Sequence, residues 1–383
     1  MNNGNKYKCF VMLLVVSLVV LLLPACGSEP ETETVVISDS NEISSGGQSS
    51  RPFQVQKIYR LPDRFANTGQ LLGWSSTDAV IASFGAMTIL KQGTLERLTY
   101  PYEQSKAIPG IGKVTSNTIL SPDGKYICEF SRFSSETTLK LISLQDGKEK
   151  EIDRINTRNE SYVQYVSWSA NSSYIGYLVE NPFDNGADSL YIYDMGSQTS
   201  SKYQLKGIVK EDTLLSFNLA NDGRSVLLQL FRAKQGQKKV LTLGKVSGKN
   251  IEFQYERQID GDSVAWMNND QFVFLGTDSS LYEYDQRNGE LSVILEKVFD
   301  FEVSPDRKNI AYSVYDQNVT YVGKVQGRNI LYNEPVYRGM VPTHIYWNPN
   351  NKSVLLQGQK QLDSSQTAAT DSPSKESLII ELK

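Results

Sequence analysis

Beyond residue 53 the hydrophobic positions fall into short apolar or alternating runs, separated by clusters of Asp, Asn, Gly, Ser and Lys. The period is two or continuous, almost never 3.6, and such runs bounded by turn residues predict strands rather than helices. One unit recurs. Its clearest copy runs Ile119-Leu120-Ser121-Pro122-Asp123-Gly124-Lys125-Tyr126-Ile127-Cys128-Glu129-Phe130, followed by a second apolar run at 138–144 and an Asp146-Gly147 turn. The same order reappears around Trp74, Trp168, Leu219, Trp266, Val303 and Trp347. With the residue just before the turn as marker, the copies stand at 74, 120, 168, 219, 266, 303 and 347, at intervals of 46, 48, 51, 47, 37 and 44. A four-stranded unit returning at roughly 40–50 residues is a propeller blade. The pattern predicts an all-β propeller over residues 53–383, with seven blades by marker count.

The residue types fit that reading. In Ser121-Pro122-Asp123-Gly124-Lys125 the proline presets φ, the aspartate caps the turn and the glycine accepts the positive φ that follows. Runs such as Val226-Leu227-Leu228 are continuous because a blade is covered on both faces. The last unit offers only three good strands, at 344–347, 353–357 and 377–382, so the run at 53–60 is expected to supply the fourth and close the ring. Closure removes the open sheet edges that invite aggregation. Two polar stretches, 181–188 and 359–376, interrupt the third and last units as insertions.

The Ser-Pro-Asp-Gly-Lys turns and the pieces Tyr191-Ile192-Tyr193-Asp194 and Tyr282-Glu283-Tyr284-Asp285 resemble the PD40 repeats of TolB-type and prolyl-oligopeptidase-type propellers. The first residues add a separate feature. Residues 1–8 carry two lysines, 9–23 are apolar apart from Ser17, and a small-residue segment follows. Fifteen residues of helix span roughly 22 Å, short of a ~30 Å hydrocarbon core, and the order is that of a signal peptide over 1–25. Leu23-Pro24-Ala25-Cys26-Gly27 resembles the lipobox of bacterial lipoproteins, with Pro24 where a small or hydroxylated residue is more usual. The resemblance implies cleavage before Cys26 and a diacylglyceryl group on its thiol. An uncleaved signal anchor is the other reading of this segment. Residues 26–52 are rich in Ser, Thr, Glu and Gly and read as a flexible linker. Taken together, repeats and lipobox resemble the YqgU-type lipoproteins of Gram-positive bacteria, which implies a lipid-anchored protein on the extracytoplasmic face of the cell membrane. That family implies six blades, the alternative to the seven markers.

Charge and cysteine content narrow the function. The chain has 39 basic and 43 acidic side chains; without 1–25 the balance is 37 against 43, a net charge of −6. A nucleic-acid partner would need a basic stripe, so none is expected. Anionic lipid gains no polybasic help either, leaving the acyl group on Cys26 as the expected membrane contact. Beyond the leader and Cys26 the only cysteine is Cys128, inside an apolar strand, and it is expected to be a buried small hydrophobe with no disulfide.

No catalytic constellation emerges. A Ser-His-Asp hydrolase needs a histidine base, and the single histidine, His344, lies in a strand beside Trp347, where it reads as a packed or hydrogen-bonded residue. No Gly-x-Ser-x-Gly elbow precedes a helix, and one His and one free Cys make no zinc site. Pro109-Gly110-Ile111-Gly112-Lys113 faintly suggests a phosphate loop but has Ala107 where the pattern needs Gly, and it reads as a loop between blades. No catalytic, cofactor or metal residue is assigned. Two functions stay open: a non-catalytic scaffold that binds an envelope protein, peptide or glycan, and a calcium-dependent lactonase or glycan-lyase type of propeller enzyme with inward-facing acids.

Overall fold

The structure, a computed structural model, describes residues 52–85, 92–115, 117–132, 135–156, 162–180, 188–234, 236–315, 317–360 and 374–383. The leader 1–25, the lipid site Cys26 and the linker up to residue 51 lie outside the described residues, as do 181–187 and 361–373 of the two insertions. No helix among the described residues is long and apolar enough to cross a membrane.

The chain folds as a β-propeller with one short helix, Asp63–Asn67. The described strands form seven successive antiparallel meanders, at 69–107, 118–156, 162–205, 213–258, 264–295, 298–338 and 340–382. Each begins with the strand nearest the axis. The last takes its outermost strand from the beginning of the chain. Val55–Arg60 pairs antiparallel with Lys375–Leu382, Ile58 opposite Ile380 and Arg60 opposite Leu378.

The count of separate blades differs from the sequence expectation. Five four-stranded sheets stand alone, not seven, and the meanders at 162–205 and 213–258 share one eight-stranded sheet. The physical reason is a long hairpin, Lys238–Ser247 and Asn250–Gln258, which reaches the edge of the preceding meander. There Gln204 and Leu205 pair in parallel with Asn250 and Ile251. Backbone bonds from Gln204 N to Lys249 O and Lys206 N to Ile251 O, at 3.0 and 3.1 Å, complete the seam. Neither seven separate blades nor six alike describes the result.

Packing explains the continuous hydrophobic runs. Among the described residues, seven buried clusters each lie between two successive meanders. Val226 and Leu228 pack toward Tyr174 and Ile192 of the preceding meander, and Leu227 packs toward Trp266 and Phe272 of the next. One cluster joins the last meander to the first, Leu355 and Ile379 against Trp74, Val80 and Leu98, with Tyr59 between them. The ring is therefore closed by side-chain burial as well as by strand pairing. Full burial of each such side chain is worth roughly 1.5–3 kcal/mol.

The turns after the innermost strands carry a second device. Ser121, Ser169 and Ser304 are buried, and each hydroxyl donates to Asp123, Asn171 or Asp306 two residues on. Each also accepts a backbone N–H five residues on, from Tyr126, Tyr174 or Asn309, at 2.9 Å. The fourth residue of these turns is left-handed: Gly124, Ser172, Gly223, Arg307 and Asn351 have φ between +58° and +71°. At Gly124 the positive φ is joined by a close approach, because a Cβ there would lie 2.5 Å from the Ser75 backbone. Neighbouring turns are tied to one another, Asp123 N to Ser172 Oγ and Asp306 N to Asn351 Oδ1. Ser304→Ala removes one such buried pair of bonds and is expected to lower stability by about 1 kcal/mol. A shift of the urea midpoint at constant slope would register it, and an unchanged midpoint would contradict this role for the serine. The native Ala220 at the equivalent place argues for the low end of that range.

Candidate functional site

Polar and charged side chains from several meanders line the central channel. Its wall is built from the innermost strands, and several of these carry a β-bulge: the register slips between Leu71 and Gly73, Val298 and Asp300, and Pro342 and His344. A bulge re-aims the side chain that follows it. Asp300 and His344 are the residues just after two of them, and neither orientation is legible from alternation alone.

Two cavities of about 530 Å³ each occupy the channel. One is lined by Trp168, Asp300, Glu302, Arg307, His344 and Tyr346 among others. The other includes Tyr165, Ser167, Gln229, Asp262 and Glu302. Asn218, Ser263, Val264 and Glu302 line both, so the cavities meet there. A third groove of about 560 Å³ lies elsewhere, around Tyr100, Pro101, Glu103 and Lys106, and shares no residue with the channel.

The indoles show how the channel wall is held. Trp74 Nε1 donates to Tyr346 O at 3.2 Å, Trp266 Nε1 to Asn218 O at 3.1 Å and Trp347 Nε1 to Glu302 O at 2.9 Å. Each bond reaches back from the marker tryptophan to the innermost strand of the preceding meander. The marker residues of the repeat are thus stitches between repeats. Trp168 breaks the series: it is buried, but its Nε1 has no partner.

The charged groups are partly withdrawn from water. Burial pushes the Asp300 carboxyl up, although hydrogen bonds from Ser263 Oγ and from Phe301 N at 2.9 Å favour its charged form. Burial pushes Glu302 up to about 7, against the opposing pull of Arg307 and with a further push from Asp300. The Arg307 guanidinium is lowered from its ordinary value by burial, with Glu302 and Asp306 holding it charged. Among the described residues neither the Glu302 carboxyl nor the Arg307 guanidinium has a hydrogen-bond or ion-pair partner within 4.0 Å. His344 is lowered by burial while Asp300 pulls the other way. Tyr346 is raised, chiefly by burial and then by Glu302.

Of the two readings of His344 from the sequence, packed or hydrogen-bonded, the structure shows the hydrogen bond. The residue lies exposed on the channel wall, its Nδ1 3.2 Å from Thr343 Oγ1, its ring stacked on Tyr346 at 6.0 Å between centroids. Water reaches it because the channel is open, yet protein surrounds it on most sides, which is why its imidazole favours the neutral form. Cys128 is buried and its thiol is pushed up to about 12 by burial. The glycine-rich segment at 109–113 belongs to the packing between meanders, because a Cβ on Gly147 would lie 2.6 Å from Gly110 O. Cys26 lies outside the described residues.

Among the described residues no three His, Cys, Asp or Glu side chains are grouped to hold an ion. Asp300 accepts from Ser263 Oγ and Phe301 N, and Asp262 is paired with Lys239 at the far cavity. A serine-histidine relay is not formed either, since Ser263 donates to Asp300 and His344 bonds Thr343.

No family model matches the sequence, and no curated protein matches it. Solved structures do resemble it. The β-propeller domain of the Trilobed protease from Pyrococcus furiosus is similar with a TM-score of 0.51 at 12% identity, over 83% of this chain and 96% of that one. Oligogalacturonate lyase from Vibrio parahaemolyticus gives 0.55 at 12% identity, over 91% and 96%. The Swd1 β-propeller domain from Myceliophteria thermophila gives 0.52 at 11% identity, over 86% and 99%. At such identities the likeness establishes the fold, and the neighbours' differing activities leave function to the site.

Proposed function

We propose that this chain is a lipid-anchored, extracytoplasmic binding scaffold whose propeller holds an envelope protein, peptide or glycan without chemically changing it. The observation that carries this reading is the convergence of polar side chains from different meanders, Asn218, Ser263, Asp300, Glu302 and His344, on one axial space walled by a closed apolar ring. Such a wall is rigid and presents fixed donors and acceptors, which is what recognition requires. Hydrolysis would need a nucleophile bonded to a base, and here the hydroxyl and the imidazole have other partners. The tether rests on Leu23-Pro24-Ala25-Cys26-Gly27, and the TolB-type and YqgU-type affinity on the Ser-Pro-Asp-Gly-Lys turns together with that segment. Two acyl chains are needed because one binds a membrane only marginally.

Crosslinking on intact cells, followed by purification from detergent, is the test. The wild-type chain is expected in the membrane fraction with one envelope partner attached. Cys26→Ser is expected to appear as released or unprocessed protein. Unchanged detergent-phase partitioning of that variant would count against the tether, and turnover of a bound glycan or peptide would count against the scaffold.

A further inference from the structure

Two opposite charges face one cavity in the channel without touching. Arg307 and Glu302 both line it and sense one another electrostatically, yet no ion pair within 4.0 Å forms between them. Both side chains are half-buried, and a charge partly removed from water without a partner is costly. Asp300 stands on the same strand as Glu302, so the cavity has an anionic side and a cationic side.

Arg307 is also an unexpected residue in its place. Its four counterparts at the left-handed position of the turn are Gly124, Ser172, Gly223 and Asn351, small or amide residues suited to positive φ. Ser172 and Asn351 use their side chains to hold the preceding turn. Arg307, at φ +61°, makes no such bond, and its long side chain lines the cavity instead.

One cation and a pair of carboxyl groups on the wall of one cavity are the complement of a chain with a carboxylate at one end and an amine at the other. A neutral sugar would leave both charges unmatched, a polyamine would meet Arg307 with like charge, and a uronate would leave the carboxyl groups unmatched. Each cavity lies within the roughly 300–1,000 Å³ of small-molecule sites.

We propose that the channel binds one short zwitterionic peptide of two or three residues, its terminal carboxylate on Arg307 and its terminal ammonium on Asp300 and Glu302. The inference deepens the scaffold reading and rests on it. Calorimetric titration of the full chain in detergent with tri-L-alanine, its N-acetyl form and its C-terminal amide tests the charges one at a time. The free tripeptide is expected to bind, with each blocked form weaker by at least about tenfold, as loss of one charge-assisted contact implies. In Arg307→Gln the free acid and the amide should bind alike. In Asp300→Asn the gap between the free amine and the acetylated peptide should narrow, which keeps the test open should the arginine variant fail to fold. Equal binding of all three peptides to the wild-type chain, or binding of none, overturns the inference. Capture of an envelope partner on cells without any tripeptide binding would sink this inference and leave the scaffold standing. Binding followed by cleavage of the tripeptide would support the charge-matched site and sink the non-catalytic reading.

Discussion

Removing residues 53–60 is expected to destabilise the propeller by about 5 kcal/mol or more, while removing 28–50 leaves the unfolding temperature almost unchanged. The first deletion takes away Val55–Arg60, which pairs along Lys375–Leu382, with Leu61 N bonded to Ser377 O and Lys383 N to Gln54 O at 2.9 Å. It also removes Ile58, 1% exposed, from the cluster between the sixth and seventh meanders, and Tyr59 from the cluster between the seventh and the first. Two large side chains contribute roughly 1.5–3 kcal/mol each and the backbone bonds roughly 0.5–1.5 each, offset by the entropy of ordering the strand. That net loss is a large part of the 5–15 kcal/mol by which a domain is typically stable. For a domain of this length it corresponds to a fall of roughly 7 °C or more. The deletion further exposes the edge of Lys375–Leu382, so concentration-dependent aggregation is expected as well. Thermal unfolding of both truncations followed by circular dichroism decides the matter, and equal midpoints would mean that the ring does not depend on its closing strand.

That closing strand was legible in the sequence because the last repeat is visibly one strand short. The repeat markers were legible for a similar reason: a tryptophan before a turn recurs four times, and the structure gives the physical cause in the stitches from Trp74, Trp266 and Trp347 to the preceding strand. The seam that merges the third and fourth meanders was not legible. It depends on where a long hairpin happens to reach, and nothing in the residues Gln204, Leu205, Asn250 and Ile251 marks them as partners across repeats. The channel was hidden too. In a blade, alternation separates one neighbour's side from the other's, so it carries no signal for which residues face the axis, and bulges before Asp300 and His344 shift even that pattern. One clue was on the page: Ser304-Pro305-Asp306-Arg307-Lys308 copies Ser121-Pro122-Asp123-Gly124-Lys125 with arginine in place of the glycine. A residue that needs positive φ and is neither Gly nor Asn is a place to look for function.

Glu302→Gln is expected to stabilise the protein at pH 8 and to have almost no effect near pH 4. Burial pushes the Glu302 carboxyl in the folded chain up to about 7, whereas in the unfolded chain it titrates near 4.5. A raised carboxyl pKa means that the folded state holds its proton longer, so its contribution is fully present below about pH 4.5 and is lost as pH rises toward 7 and beyond. Above that window the native channel must hold an unpaired anion, at a cost of about 2–3 kcal/mol that glutamine does not incur. In a domain of this size the gain corresponds to roughly 3 °C in unfolding temperature. Burial sets the sign, opposed by Arg307 on the following turn and reinforced by Asp300 on the same strand. Only Arg307 carries a charge that favours ionised Glu302, and without a direct ion pair it does not outweigh burial. Unfolding curves of wild type and variant should converge at low pH and separate above neutrality. A variant less stable than wild type at pH 8 would mean that Glu302 is ionised and joined to Arg307, which would also close the gap that the peptide is inferred to fill.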